Sequence, residues 1–197
     1  MVKLLVATNN PGKVHEYEEL LAGLPLELTF PAQEGMVLEV EESGATFEEN
    51  ARLKALAYAR ASGLPTLADD SGLEVDALSG APGVRSARYA GPGAGDADRY
   101  QKLLDALANV PEDRRTARFR CVVALARPDG TVRTGEGRCE GQIGWAPRGE
   151  HGFGYDPVFI VDGFDGQTMA ELAPEVKNRV SHRARAVQAI DFSILDQ

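Results

Sequence analysis

Two extended runs, Thr116 to Ala126 and Thr131 to Ile143, flank the turn residues Pro128-Asp129-Gly130. Phe119, Cys121, Val123 and Leu125 recur on one face of the first run, the period-two pattern of a strand against a core. So long a hairpin must be antiparallel. The chain opens differently: Lys3 to Ala7 reads as a strand buried on both faces, followed by a polar turn and a helix through about Leu21. Strands and helices intermix throughout, which predicts an α/β fold on a mixed sheet.

Further elements follow from local signals. Short strands are expected at Leu26–Phe30 and Met36–Val40. Thr46 followed by Glu49 is a capping box opening a helix to Ala61, ended by Gly63-Leu64-Pro65. A strand begins at Thr66–Ala68, and Leu73–Leu78 alternates apolar and acidic residues as a half-exposed strand would. The Gly/Pro-rich loop from Gly80 to Gly95 is too long for a simple connector. Helices are expected at Asp96–Asn109 and from Ser181 to about Leu195, with a second capping-box pattern at Thr168–Glu171.

At 197 residues, the chain suits one domain or two lobes sharing a core, and no repeat, low-complexity tract or linker interrupts it. With 21 basic against 30 acidic residues the net charge is -9, which argues against nucleic acid as a partner. Any anionic ligand must be held by local cations. No run of about 18 apolar residues predicts a membrane span, and the opening residues are too short for a signal-peptide core, so the expected address is the cytoplasm. Cys121 and Cys139 flank the hairpin turn, where two packed thiols are expected rather than a disulfide.

Five segments carry candidate chemistry. Thr8-Asn9-Asn10-Pro11-Gly12-Lys13 lies between a strand and a helix start, where backbone N–H groups and Lys13 suit an anion. It is not a P-loop, and a capped helix with a solvated lysine fits as well. Glu41 and Glu42 precede the Thr46 cap, while Asn50 and Lys54 share one helix face. In Leu67-Ala68-Asp69-Asp70-Ser71-Gly72, the carboxylates of an extended chain point to opposite sides. One can line a cleft and hold Mg²⁺ at a strand end while the other braces; a surface turn is the alternative. In Gly152-Phe153-Gly154-Tyr155-Asp156-Pro157, the Phe either plugs the core or stacks on a planar ligand. Lys177 to Arg185 gathers basic residues around His182, either as a solvated helix face or as donors to a base or phosphate.

Taken in order, T-N-N-P-G-K, E-x-G-x-T-F-x-E-N-A, A-D-D-S-G-L, P-G-V-R-S-A-R-Y-A-G, F-G-Y-D-P-x-F, T-M-A-E-L and K-N-x-x-S-H-R-A resemble the inosine triphosphate pyrophosphatase family over Thr8 to Ala184. The resemblance implies a long curved mixed β-sheet with helices forming two lobes around a central active-site cleft, in one domain over residues 1–197, as a homodimer. It implies hydrolysis of the purine nucleoside triphosphates ITP, dITP and XTP to monophosphate and pyrophosphate with Mg²⁺. Carried onto this chain, Thr8, Asn9, Asn10, Pro11, Gly12, Lys13, Lys54 and Ser71 bind the triphosphate. Glu42 and Asp70 hold the metal, and Asp70 also activates water, which leaves Asp69 as the brace. Phe153, Gly154, Tyr155 and Asp156 embrace the nucleoside; Lys177, His182 and Arg183 complete the base pocket, with Arg88 nearby. Two other readings stand beside it: a nucleotide-binding module without turnover, and a related pyrophosphatase for modified pyrimidine triphosphates.

Overall fold

A computed structural model describes residues 1–196. Six strands, β1 (Val2–Val6), β2 (Leu26–Thr29), β3 (Thr66–Val75), β4 (Thr116–Ala126), β5 (Val132–Ile143) and β6 (Phe159–Val161), form one sheet in the order β2-β1-β3-β4-β5-β6. β1 runs parallel to β2 and β3, whereas β5 and β6 are antiparallel, so the sheet is mixed as expected. The α-helices are α1 (Pro11–Leu20), α2 (Phe47–Ser62), α3 (Asp96–Ala106), α4 (Pro174–Val180) and α5 (His182–Ala189). No helix among the described residues is long and apolar enough to cross a membrane.

The chain divides into two compact units. The first comprises Met1–Asp70, Cys121–Gly137 and the chain from Arg183 on; the second comprises Ser71–Arg120 and Arg138–His182. The backbone therefore passes from one unit to the other inside the D-D-S-G and S-H-R motifs.

In the first unit the alternation of β1 decides the packing. Leu4 and Val6 join Tyr17 and Leu21 of the α1 region, Leu67, Cys121, Val123, Leu125 and the α5 residues Ala186 and Val187. Leu5 and Ala7 face the other way, toward Phe47, Ala51, Ala55, Tyr58 and Ala59 of α2 and Ala68, Val122 and Ala124. Those α2 positions recur at helical spacing and make one apolar stripe. The helix is fixed at both ends: Thr46 and Glu49 form the capping box, and Gly63 closes it in the left-handed region at φ +70°. In the second unit Leu73, Val75, Leu103, Leu107, Phe119, Cys139, Tyr155, Phe159 and Met169 pack one core. Cys121 and Cys139 are buried, are not in a disulfide, and belong to these two separate clusters.

Four expectations need correction. Met36–Val40 is not a strand: Met36, Leu38 and Val40 do turn one side to the α2 cluster, but the Leu38 carbonyl accepts from the Tyr58 hydroxyl at 2.8 Å rather than from a neighbouring strand. Leu73–Leu78 is not a separate strand: β3 runs unbroken through Asp69-Asp70-Ser71-Gly72 to Val75, and Asp76–Leu78 is a 3-10 turn. The two aspartates thus lie mid-strand, neither at a strand end nor in a surface turn. The Thr168 capping box is present as expected and heads a 3-10 turn, Met169–Glu171, after which Pro174 starts α4 at its first position. Two helices also end early: α3 stops at Ala106 and α5 at Ala189, after which Asp191 accepts from the Ser193 N–H and opens a 3-10 turn.

Candidate active site

The first unit gathers its candidate residues around the first half of β3. Because side chains alternate, Asp69 shares a face with Leu67 and Asp70 shares the other with Ala68. Asp69 is buried and accepts from Lys13 Nζ at 2.9 Å and from Arg183 Nη2 at 3.2 Å; Arg183, also buried, gives Nη1 to Glu16 at 2.5 Å. The Cys121 thiol lies 3.8 Å from the same Asp69 oxygen. Burial pushes the Asp69 carboxyl up, but the charges of Lys13, Arg183 and Lys54 outweigh it and hold it far below the usual carboxylate range. Burial pushes the Cys121 thiol up, with the Asp69 charge adding to it.

Asp70 lies in the opposite environment. Burial is the largest influence and raises its carboxyl to about 6; the Asn50 hydrogen bond opposes this, and the Glu42 charge adds to it. Asn50 Nδ2 donates to Asp70 at 2.9 Å while its Oδ1 accepts from Gly44 N at 2.8 Å, so one side chain joins the Glu41–Gly44 loop to the aspartate. Of the paired acids, Glu41 is exposed and Glu42 turns inward to ion-pair with Lys54. Lys54 also donates to the Asp69 carbonyl at 3.3 Å, one turn along α2 from Asn50.

A hard divalent cation suits this donor set. The Glu42 charge and burial both raise the Asp70 carboxyl, and a cation would relieve that cost. Among the described residues no three His, Cys, Asp or Glu side chains form a metal cage. Mg²⁺ needs none, since it binds through one or two carboxylates, waters and substrate phosphates.

The Thr8–Lys13 loop departs from its expected use. Asn10 caps α1, its Oδ1 accepting from the Gly12 N–H at 2.9 Å and the Lys13 N–H at 3.3 Å, and the Asn10 N–H goes to Thr8 Oγ1. These helix-terminal amides are already satisfied. The Lys13 ammonium goes to Asp69, and Pro11 stands at the first helical position.

The second unit brings together Phe153, Asp156 and Lys177. Asp156 Oδ2, buried, accepts from Lys177 Nζ at 2.7 Å and from the Phe153 N–H at 3.0 Å, and Lys177 Nζ lies 5.0 Å from the Phe153 ring centroid. Gly152 permits this closeness: at φ +79° a Cβ would stand 2.1 Å from Asp156 Oδ2 and 2.9 Å from Lys177 Nζ. Phe153 stays half-buried. His182 stacks on Phe119, centroids 4.7 Å apart at 13°. Tyr155 is core, its hydroxyl donating to the Ser86 carbonyl at 2.8 Å. Ser71 is half-buried on β3, and Arg88 is exposed at the end of the 3-10 helix Gly83–Arg88. Arg183, expected with His182, belongs with Asp69 and Glu16 in the first unit.

Fold and site together define the class: a mixed-sheet α/β protein that sets lysines against buried carboxylates in one unit and an aromatic–lysine–aspartate cluster in the other. The chain belongs to the Ham1 family, whose model matches residues 4–191. It is 53% identical over 187 residues to a protein of Desulforamulus reducens named dITP/XTP pyrophosphatase, covering 95% of this chain and 92% of the relative. A Bacillus subtilis protein of the same name is 48% identical, with 96% of each chain covered. The solved structure of a HAM1 protein from Coxiella burnetii superposes with TM-score 0.86 at 44% identity, covering 95% of both chains.

Glu16 and Asn50 enter the site without having been singled out for it. Asn50 carried a signal, its place one turn before Lys54. Glu16 carried none, since its partner Arg183 lies 167 residues away.

Proposed function

We propose that the protein hydrolyses deaminated purine nucleoside triphosphates, ITP, dITP and XTP, to the nucleoside monophosphate and pyrophosphate, removing non-standard purines from the nucleotide pool. The names of its relatives support the substrate class. The observation that carries the reaction is the contrast between adjacent Asp69 and Asp70: one carboxylate is paired with Lys13 and Arg183, while the other, on the opposite face of β3, accepts from the Asn50 amide.

In this reading the first unit takes the triphosphate. Thr8, Asn9 and the loop through Lys13, with Lys54, bind the phosphate oxygens, and the two ammonium groups oppose the charge that develops on them; Ser71, the first residue of the second unit, is assigned to the triphosphate as well. Asp69 keeps Lys13 in place. Glu42 and Asp70 would hold Mg²⁺, which when bound neutralises phosphate charge and makes a bound water more acidic. Asp70, as the ionised carboxylate, takes the proton of the attacking water. Asn50 fixes the orientation of its carboxylate. The water oxygen attacks the α-phosphorus, the bridge to the β-phosphate breaks, and pyrophosphate leaves.

The second unit takes the nucleoside. Phe153 stacks on the base, with Gly154, Tyr155 and Asp156 shaping the loop, and Lys177 and His182 supply donors that favour a 6-oxo group over the amino group of adenine. Arg183, committed to Asp69 and Glu16, anchors the start of α5 beside His182. The reading extends to a cytoplasmic homodimer. Incubation with Mg²⁺ and dITP is expected to release pyrophosphate and dIMP in equal amounts. Binding of dITP without pyrophosphate release would instead make the protein a nucleotide-binding module.

A further inference from the structure

The base platform is fixed by a residue outside every motif named above. The consecutive amides of Phe153 and Gly154 each donate to a carboxylate: Phe153 N to Asp156 within the loop, and Gly154 N to Asp96 Oδ2 at 2.7 Å, from 58 residues upstream. Asp96 is the first residue of α3, where an acid ordinarily serves the helix dipole. Here the cap is made by Asp98, whose Oδ2 accepts from the Gly95 N–H at 2.8 Å. Asp96 is thereby turned to the Phe153 loop. Its other oxygen is ion-paired with Arg99, and Arg99 Nη2 is tied to the Ala94 carbonyl at 2.7 Å, so the carboxylate cannot swing freely. Gly154 sits in the left-handed region at φ +66°, a conformation open to glycine, and its N–H is paired by the Asp96 carboxylate.

We infer that Asp96, steadied by Arg99, is a positioning residue for the nucleoside: it locks the backbone behind Phe153 and thereby sets affinity for the base, with no part in phosphate cleavage. The inference rests on the reading of Phe153 as the base platform. A hydrogen bond to a charged acceptor is worth enough to change affinity roughly ten-fold.

Steady-state kinetics with dITP and Mg²⁺ test it. Asp96→Ala is expected to raise KM roughly ten-fold with little change in kcat. Asp96→Asn retains an oxygen that accepts the Gly154 N–H and is expected to retain most of the affinity. Arg99→Ala, which releases the carboxylate, is the second variant should Asp96→Ala fail to fold, and is expected to raise KM in the same direction. Asp98→Ala weakens the cap of the same helix and is expected to leave KM unchanged. Inhibition by inorganic tripolyphosphate, which has no base, is expected to be the same in all of them, and Asp96→Ala/Phe153→Ala no weaker for dITP than Phe153→Ala alone. An unchanged KM in Asp96→Ala beside a raised KM in Phe153→Ala would overturn the inference and leave the platform standing. An unchanged KM in both would remove the platform and the inference with it. A KM rise in Asp98→Ala equal to that in Asp96→Ala would reduce Asp96 to helix stability and overturn the inference.

Discussion

Asp69 and Asp70 are neighbours on β3 with opposite electrostatic fates. Asp69, despite burial, is held as a carboxylate by Lys13, Arg183 and Lys54, while Asp70, more influenced by burial than by its donor Asn50, is raised to about 6. The strand's alternation separates them.

Asp69→Asn removes the shared partner of two cations, one of them fully buried. Uncompensated buried charge costs about 3–5 kcal/mol, so urea unfolding at neutral pH is expected to show a loss of that order. Because the Asp69 carboxyl is depressed in the folded protein, its stabilisation is complete above the ordinary carboxylate value and is lost as pH falls through and below it. A loss under about 1 kcal/mol would show that Lys13 and Arg183 hold their places without it.

Asp70→Asn is expected to do the reverse in metal-free protein. A carboxyl raised from 3.8 to about 6 in the folded state destabilises once ionised, by about 3 kcal/mol. Wild-type stability from this group is therefore greatest below about 4 and falls as pH rises to about 6. Thermal unfolding without divalent ions at pH 8 is expected to give a higher Tm for Asp70→Asn, and the difference is expected to shrink toward pH 4. Equal Tm values at both ends would mean that Asp70 is solvated well enough to ionise at no cost.

Gly152→Ala places a methyl 2.1 Å from Asp156 Oδ2 on a backbone at φ +79°. The left-handed conformation alone costs an alanine about 1–2 kcal/mol, and the clash forces Asp156 off Lys177. The expected outcome is a raised KM for dITP together with lowered stability. Wild-type KM in a folded Gly152→Ala would detach the Asp156–Lys177 pair from nucleoside binding.

Local signals carried much of this fold, and long-range partners carried the remainder. The period of two at Asp69 and Asp70 correctly separates their side chains, but Ser71-Gly72 looks like a turn and proves to be strand, with Gly72 buried and the next amide, Leu73 N, bonded to Ser86 Oγ. Nothing local reports a bond to a residue 13 positions on. The Thr46–Glu49 box marked its helix because both partners lie within one turn, whereas the same pattern at Thr168 heads a 3-10 turn, after which Pro174 starts α4. At Asn10 the identity of the cap was legible, yet its consequence, that it occupies the amides an anion would use, needed coordinates. Arg183 was read from its neighbour His182, but burial committed it to Glu16 and Asp69.

The central claim, that Asp70 activates water for attack on the α-phosphorus, is tested most directly by mass analysis of the products of dITP turnover in oxygen-isotope-labelled water, for wild type and Asp70→Asn side by side. Label is expected in dIMP alone from the wild type, and no turnover from Asp70→Asn although dITP still binds. Label in the pyrophosphate, or near-normal turnover by Asp70→Asn, would contradict it.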